Sequence, residues 1–335
     1  MTDAVDTSTK MGFLIQQVDV RSWNGFVKIC NALSDNQNRW VFRGQADSEW
    51  PLATTFEREA LSCGHSPAVW DALEKLLVNE FKRGGHRYLD HLPTNEIQWL
   101  ALMQHYGAPT RLLDFTKSPY IAAYHALNGP LGKRFAIFAV HREKIERSIS
   151  KMWMRNYDYQ LGDSELLCDH TLRGSAISVK PHVLPIQPSL THERLANQQG
   201  LFLMQDSINS RFEDRMHSFV ETIEVVEDDS FMSVSAKQVE DGIWKRLKSV
   251  CDARWNMKET FGFGLPRYLV AQGSVLIKIT IPSAVRSDFM GYLDDMNINE
   301  QSLFPGLDGY ARHMKRLIAR WSVNNKWGAH YRQLK

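Results

Sequence analysis

The sequence predicts an α+β fold of mixed, largely antiparallel sheets flanked by helices. Short apolar runs of strand type alternate with amphipathic helical stretches. They do so without the regular βαβ rhythm of a doubly wound sheet. No internal repeat and no low-complexity linker divides the chain. One elaborated domain over 11–335 is therefore expected, behind a polar tail at 1–10 that lacks periodicity.

Each element follows from local signals. Val27 to Leu33 has helical spacing and is closed by the polar cluster Ser34 to Asn38. Trp40-Val41-Phe42 reads as a short strand, and Gly44 marks a turn at its end. Ser66-Pro67 has the form of an N-cap with proline at N1. Val69, Leu73, Leu76, Leu77 and Phe81 follow on a helix stopped by Gly84-Gly85. A helix over Asn95 to His105 ends at Gly107 and Pro109. Arg111 to Phe115 is a strand, and Ser118-Pro119 opens a helix from Tyr120 to Leu127, closed by Asn128-Gly129. Arg134 to His141 is almost wholly apolar, the mark of a central buried strand. The stretch at about 145–178 is polar and aromatic, with weak order signals. Leu201 to Met204 and Val275 to Ile281 are further strands, the latter stopped by Pro282. Ala311, Met314, Leu317, Ile318 and Trp321 form the stripe of a basic C-terminal helix at about 310–335.

Bulk properties exclude several function classes. The chain has 335 residues, 43% hydrophobic and 23% charged, as in ordinary globular proteins. No apolar run approaches the ~20 residues of a membrane span, so no membrane partner is expected. The N-terminus lacks the apolar core of a signal peptide, and a cytoplasmic location follows. Cys30, Cys63, Cys168 and Cys251 are widely separated, against both a disulfide frame and a zinc site. Cys168-Asp169-His170 has ligand types without ligand spacing, so no metal is expected. A net charge of +2 demands no nucleic acid globally. There is no G-x-S-x-G nucleophile turn, P-loop or G-x-G-x-x-G fingerprint. A nuclease is disfavoured because no acidic cluster would hold its metal ions.

Chemistry is concentrated at 40–45 and 104–119. Arg43 carries a fork of donors suited to phosphate or carboxylate, and Gly44 would let backbone approach a ligand. Arg43 could equally pair with a buried acid such as Asp114 and tie two strands together. His105 and Tyr106 end a helix, with Arg111 and Asp114 beyond a tight turn. His105 could transfer a proton near neutral pH, or bond a helix-terminal carbonyl. Thr116 and Ser118 could bond a ligand hydroxyl, although Pro119 makes Ser118 the better helix cap. Arg312, Lys315, Arg316, Arg320, Lys326, Arg332 and Lys335, interleaved with Trp321, Trp327 and Tyr331, could bind nucleic acid. They could equally form the solvated face of a docked helix.

Val41-Phe42-Arg43-Gly44 and Gln104 through Tyr124 closely resemble the FRG domain, a bacterial and phage-associated family named for its Phe-Arg-Gly motif. Phe115 stands where that family usually has Trp. Glu193 to Phe202 and Ser302 to Gly309 also resemble it, so the resemblance implies an FRG-like core over about 36–310 with insertions at about 145–178 and 205–270. More distantly, the chain is similar to ADP-ribosyltransferases of the Arg-Ser-Glu type. Arg43-Gly44 matches their first element. Asp114 to Pro119, leading into Ile121-Ala122-Ala123-Tyr124, matches their second. The third, a strand carrying a catalytic Glu, is not matched: Gln198-Gln199-Gly200 offers amides, with Glu193 or Glu300 as carboxylates from elsewhere.

This resemblance implies an ADP-ribosyltransferase-like core and NAD as substrate, with ADP-ribose passed to a nucleic-acid or protein acceptor in a toxin or phage-defence setting. A cognate inhibitor protein would be a further partner. Arg43, Thr116 and Gln199 would be catalytic. Arg43, Gly44, His105, Tyr106, Arg111, Asp114 and Ser118 would hold NAD. Lys315, Arg316 and Arg320 would contact nucleic acid. The alternative is a module of similar pocket that binds a nucleotide or partner and does no chemistry.

Overall fold

The computed structural model describes residues 15–33, 39–129, 132–154, 172, 182–188, 193–223 and 274–314. The tail at 1–10 and the cluster Lys315, Arg316 and Arg320 lie outside them. In chain order the elements are β1 (Ile15–Asp19), α1 (Trp23–Leu33), β2 (Trp40–Gln45), α2 (Thr55–Ser62), α3 (Trp70–Gly85) and α4 (Glu96–His105). They continue with β3 (Leu112–Thr116), α5 (Pro119–Leu127), β4 (Phe135–His141), α6 (Arg142–Met154), β5 (Val183–Ile186) and α7 (Glu193–Asn197). Then come β6 (Gly200–Gln205), α8 (Phe212–Thr222), β7 (Leu276–Ile281), α9 (Arg286–Asp295) and α10 (Glu300–Leu303).

The strands form one sheet, in the order β1-β7-β4-β2-β3-β6-β5. Only β1 with β7 is parallel; the other neighbours run antiparallel. The α+β class and the mixed, mainly antiparallel pairing are thus as expected. β4 is buried at every residue, as its uniform apolar run requires. Ala136, Phe138 and Val140 pack with α3, α4, α6 and α8; Phe135, Ile137 and Ala139 pack with α1, α5 and α9.

Local capping explains the elements around the future site. Asn95 Oδ1 accepts from Gln98 N at 2.9 Å and starts α4. Ser118 Oγ accepts from Ile121 N at 3.3 Å and, with Pro119 behind it, starts α5. At Ser66 the proline signal holds but no side-chain cap forms. Pro67–Val69 makes a 3₁₀ turn and α3 begins at Trp70.

β2 departs from its expected outline. It runs through Arg43 and Gly44 to Gln45, because β4 pairs with it along its whole length, Trp40 with His141 to Gln45 with Ala136. Gly44 is therefore not a turn, and nothing leaves it facing a ligand. A Cβ there would overlap the Ala122 carbonyl oxygen and lie 2.6 Å from Ala126 N. The missing side chain lets α5 lie directly on β2.

Candidate functional site

β2 and β3 meet at a single residue pair, Phe42 with Thr116. Arg43 braces the two strands just past it. Its Nη1 donates to the Asp114 carbonyl at 2.9 Å and lies 4.0 Å from Asp114 Oδ2. The Arg43 side chain is 17% exposed and Asp114 is 58% exposed. The two strands are tied together, but through a backbone carbonyl and not by a buried acid. Burial pushes the Arg43 pKa down, Asp114 pulls it back up, and Arg58 pushes it down further. Its Nε is buried without a hydrogen-bond partner among the described residues. A guanidinium held in this way has donors to spare.

Asp114 opens onto a cleft with about 470 Å³ of free space, solvent at its mouth included. Its walls include Gln104, His105, Arg194, Gln198 and Phe202. α4 brings Gln104 and His105, β3 brings Asp114, and α7 with its turn into β6 brings Arg194 and Gln198. Gln104 is fixed from both ends. Its Oε1 accepts from Thr110 Oγ1 at 2.5 Å, and its Nε2 donates to Asp114 Oδ2 at 2.8 Å.

His125, on α5, completes the charge pattern. Burial pushes its pKa down to about 4, with Asp114 raising it and Arg43 and Arg194 lowering it. Its ring lies 6.4 Å from Phe304, on which the Arg194 guanidinium sits at 4.7 Å and that of Arg312 at 5.3 Å. Gln198 Nε2 donates to the Leu303 carbonyl at 3.2 Å. The later segments Glu193 to Phe202 and Ser302 to Gly309 thus converge beside Asp114. His125, Arg194 and Phe304 escape a local reading: His125 sits inside an apolar helical run, and the other two join the site only through long-range packing.

The remaining expected residues are placed as follows. His105 lines the cleft; Tyr106 is 68% exposed, with its ring 4.9 Å from that of His105. The Thr116 hydroxyl donates to the Gln198 carbonyl at 2.7 Å and accepts from Ser118 N at 3.1 Å, so it shapes the turn beneath the cleft. Ser118 caps α5. Gln199 is exposed at φ 47°, and its carbonyl accepts from Lys117 N. Arg111 is drawn elsewhere, into a buried ion pair with Glu74 on α3. Among the described residues no group of three or more His, Cys, Asp or Glu could hold a metal ion, and no helix is long and apolar enough to cross a membrane.

The histidines give a pH prediction. Burial, with Lys144 and Arg39, pushes His141 down to about 3. A histidine with a lowered folded pKa is protonated first in the unfolded chain. Stability should therefore be flat with respect to these groups above pH 6.5 and fall as pH drops from 6.5 towards 4 for His125 and towards 3 for His141. Buried Glu57 and half-buried Glu146 have raised pKa values, through desolvation, and act in the opposite direction. Urea unfolding of His125→Gln against the parent across this range isolates the effect, and the variant should show the shallower acid decline.

Comparison with known protein families gives a match over part of the chain. Residues 38–134, from the approach to β2 to the approach to β4, match the FRG domain. No curated protein and no solved structure matches the chain.

Proposed function

Because the chain carries an FRG domain over residues 38–134, we propose that it binds NAD in the cleft at Asp114 and transfers ADP-ribose to a macromolecular acceptor. The observation that carries this reading is the half-buried Arg43 guanidinium, 4.0 Å from the exposed Asp114 carboxylate at the edge of a cleft. The residues fit a dinucleotide. Arg43 and Arg194 suit its phosphates, Gln104 and Asp114 suit ribose hydroxyls, and His105 walls the pocket. NAD supplies a good leaving group, nicotinamide, and the chain has to place charge and exclude water around it. The distant resemblance to Arg-Ser-Glu transferases supports the same assignment, since Arg43 and the Asp114 to Pro119 segment follow in that order. Thr116, Ser118 and Gln199 fit it as supports of the cleft wall.

The test is nicotinamide release from NAD by the purified chain, alone and with DNA, RNA or protein lysate. Release that rises with one acceptor supports transfer to it. ADP-ribose binding with no release under any condition supports the second reading, a nucleotide-binding module without chemistry; the amides of Gln198 and Gln199, where a catalytic carboxylate is expected, favour that reading. Absence of both would end the NAD assignment. Lys315, Arg316 and Arg320 are proposed as the nucleic-acid contact. Changing all three to Glu should then abolish salt-sensitive binding of single strands and leave NAD cleavage intact.

A further inference from the structure

Breaking the bond from ribose to nicotinamide leaves positive charge on the sugar, which a fixed negative charge close by stabilises. None is found where the family resemblance would place it. Gln198 Nε2 is committed to the Leu303 carbonyl, and Gln199 is exposed on a left-handed turn. Glu193 is exposed on α7, and Glu300 lies 3.6 Å from His313. Among the described residues lining the cleft, Asp114 alone carries a carboxylate.

Its surroundings differ from those of a structural acid. Glu74, a structural one, is 6% exposed and holds the Arg111 fork with both carboxylate oxygens. Asp114 is 58% exposed and is positioned through one oxygen. Oδ2 takes the Gln104 amide at 2.8 Å and faces Arg43 at 4.0 Å, while no described group bonds Oδ1. Thr110 fixes which way the Gln104 amide points, so the carboxylate is oriented but open on one side. This is the arrangement of a group whose remaining partner is a ligand.

We propose that Asp114 is the catalytic carboxylate of this cleft, with Oδ1 turned to the nicotinamide ribose. The proposal rests on the NAD reading above. Asp114 stabilises the charge that develops on the ribose as the bond from C1′ to the nicotinamide nitrogen breaks, its electron pair leaving with nicotinamide. An acceptor hydroxyl, or water, then bonds C1′ and releases its proton to solvent. Gln104 is a positioning residue that aims the carboxylate.

The experiment compares the full chain with Asp114→Asn, which keeps the shape and an acceptor for Gln104. Three quantities are read: nicotinamide release from NAD, ADP-ribose affinity by calorimetry, and the melting temperature. Release should fall by about 100-fold or more. ADP-ribose affinity should change by less than about threefold and melting should hold, because only the charge made useful in bond breaking is lost. Asp71→Asn, at an exposed pair with Lys75 on α3, should release nicotinamide as the parent does. A parent that cleaves NAD and an Asp114→Asn variant that cleaves it equally well would overturn the proposal and leave the NAD reading standing. Parallel loss of release and of ADP-ribose affinity would make Asp114 a binding group and also overturn it. A parent that binds ADP-ribose without cleaving NAD would refute catalysis by Asp114 and favour the module. A parent that does neither would remove the NAD reading and the proposal together.

Discussion

Arg111→Ala should destabilise the protein by about 3–5 kcal/mol, the range for removing one partner of a buried ion pair. The Arg111 and Glu74 side chains are 5% and 6% exposed. Arg111 Nε donates to both Glu74 oxygens at 2.7 and 2.9 Å, Nη2 also bonds Glu74, and Nη1 reaches the Asp206 carbonyl at 3.4 Å. The pair ties α3 to the start of β3, the strand that carries Asp114. Without the guanidinium, Glu74 would be a buried charge with its main partner gone. Arg111→Met combined with Glu74→Leu should recover most of the stability, since a packed apolar pair replaces the charges. Urea unfolding of both variants checks this. A loss below about 1 kcal/mol for Arg111→Ala would mean that the pair is not a strut.

How much could be read in advance depended on how local the cause was. The start of α5 follows from Ser118-Pro119, and that of α4 from Asn95, because a cap is settled within four residues. β4 is uniformly apolar and β7 alternates, so both are visible. The two edge strands are not. In β1, Ile-Gln-Gln-Val-Asp, only Val18 is buried, and β5 contains Pro185, which an edge strand tolerates. α6 overlaps the stretch read as weakly ordered, and α8 lies in an insertion that the resemblance implies; their polar faces dilute a stripe that becomes clear once Ile145, Ile149, Phe212, Met216 and Phe219 are seen in the core.

The same rule sorts the site. Arg43, His105 and Asp114 stand in motifs dense with polar groups at strand and helix ends, and they do gather at the cleft or against its carboxylate. Arg111 looks identical in the sequence, one residue from the same strand. Its fate is decided by Glu74, which is 37 positions earlier. Gly44 resembles a ligand-facing glycine, yet it answers to Ala122 and Ala126 on a helix that no local pattern assigns to it.

Arg43→Ala separates a ligand group from a strut. The structural loss is modest: one bond to the Asp114 carbonyl goes, while the Asp114 carboxylate keeps Gln104 and its solvent. That change should cost the fold about 1–2 kcal/mol. Losing a charge-assisted contact to phosphate should weaken ADP-ribose or NAD binding by about 10- to 150-fold, equivalent to about 1.5–3 kcal/mol. Arg43→Lys sharpens the test, because an ammonium keeps the charge but cannot reproduce the planar fork. If the fork spans the Asp114 carbonyl and a phosphate together, lysine can satisfy only one of them, and affinity should stay well below that of the parent even though melting recovers. Calorimetric titration and thermal melting of both variants read the two effects independently. Unchanged affinity together with a loss of about 3–5 kcal/mol would make Arg43 a strut of the β2–β3 junction. The buried Nε would then need another explanation, and the cleft would have to bind its ligand from the Asp114 side alone.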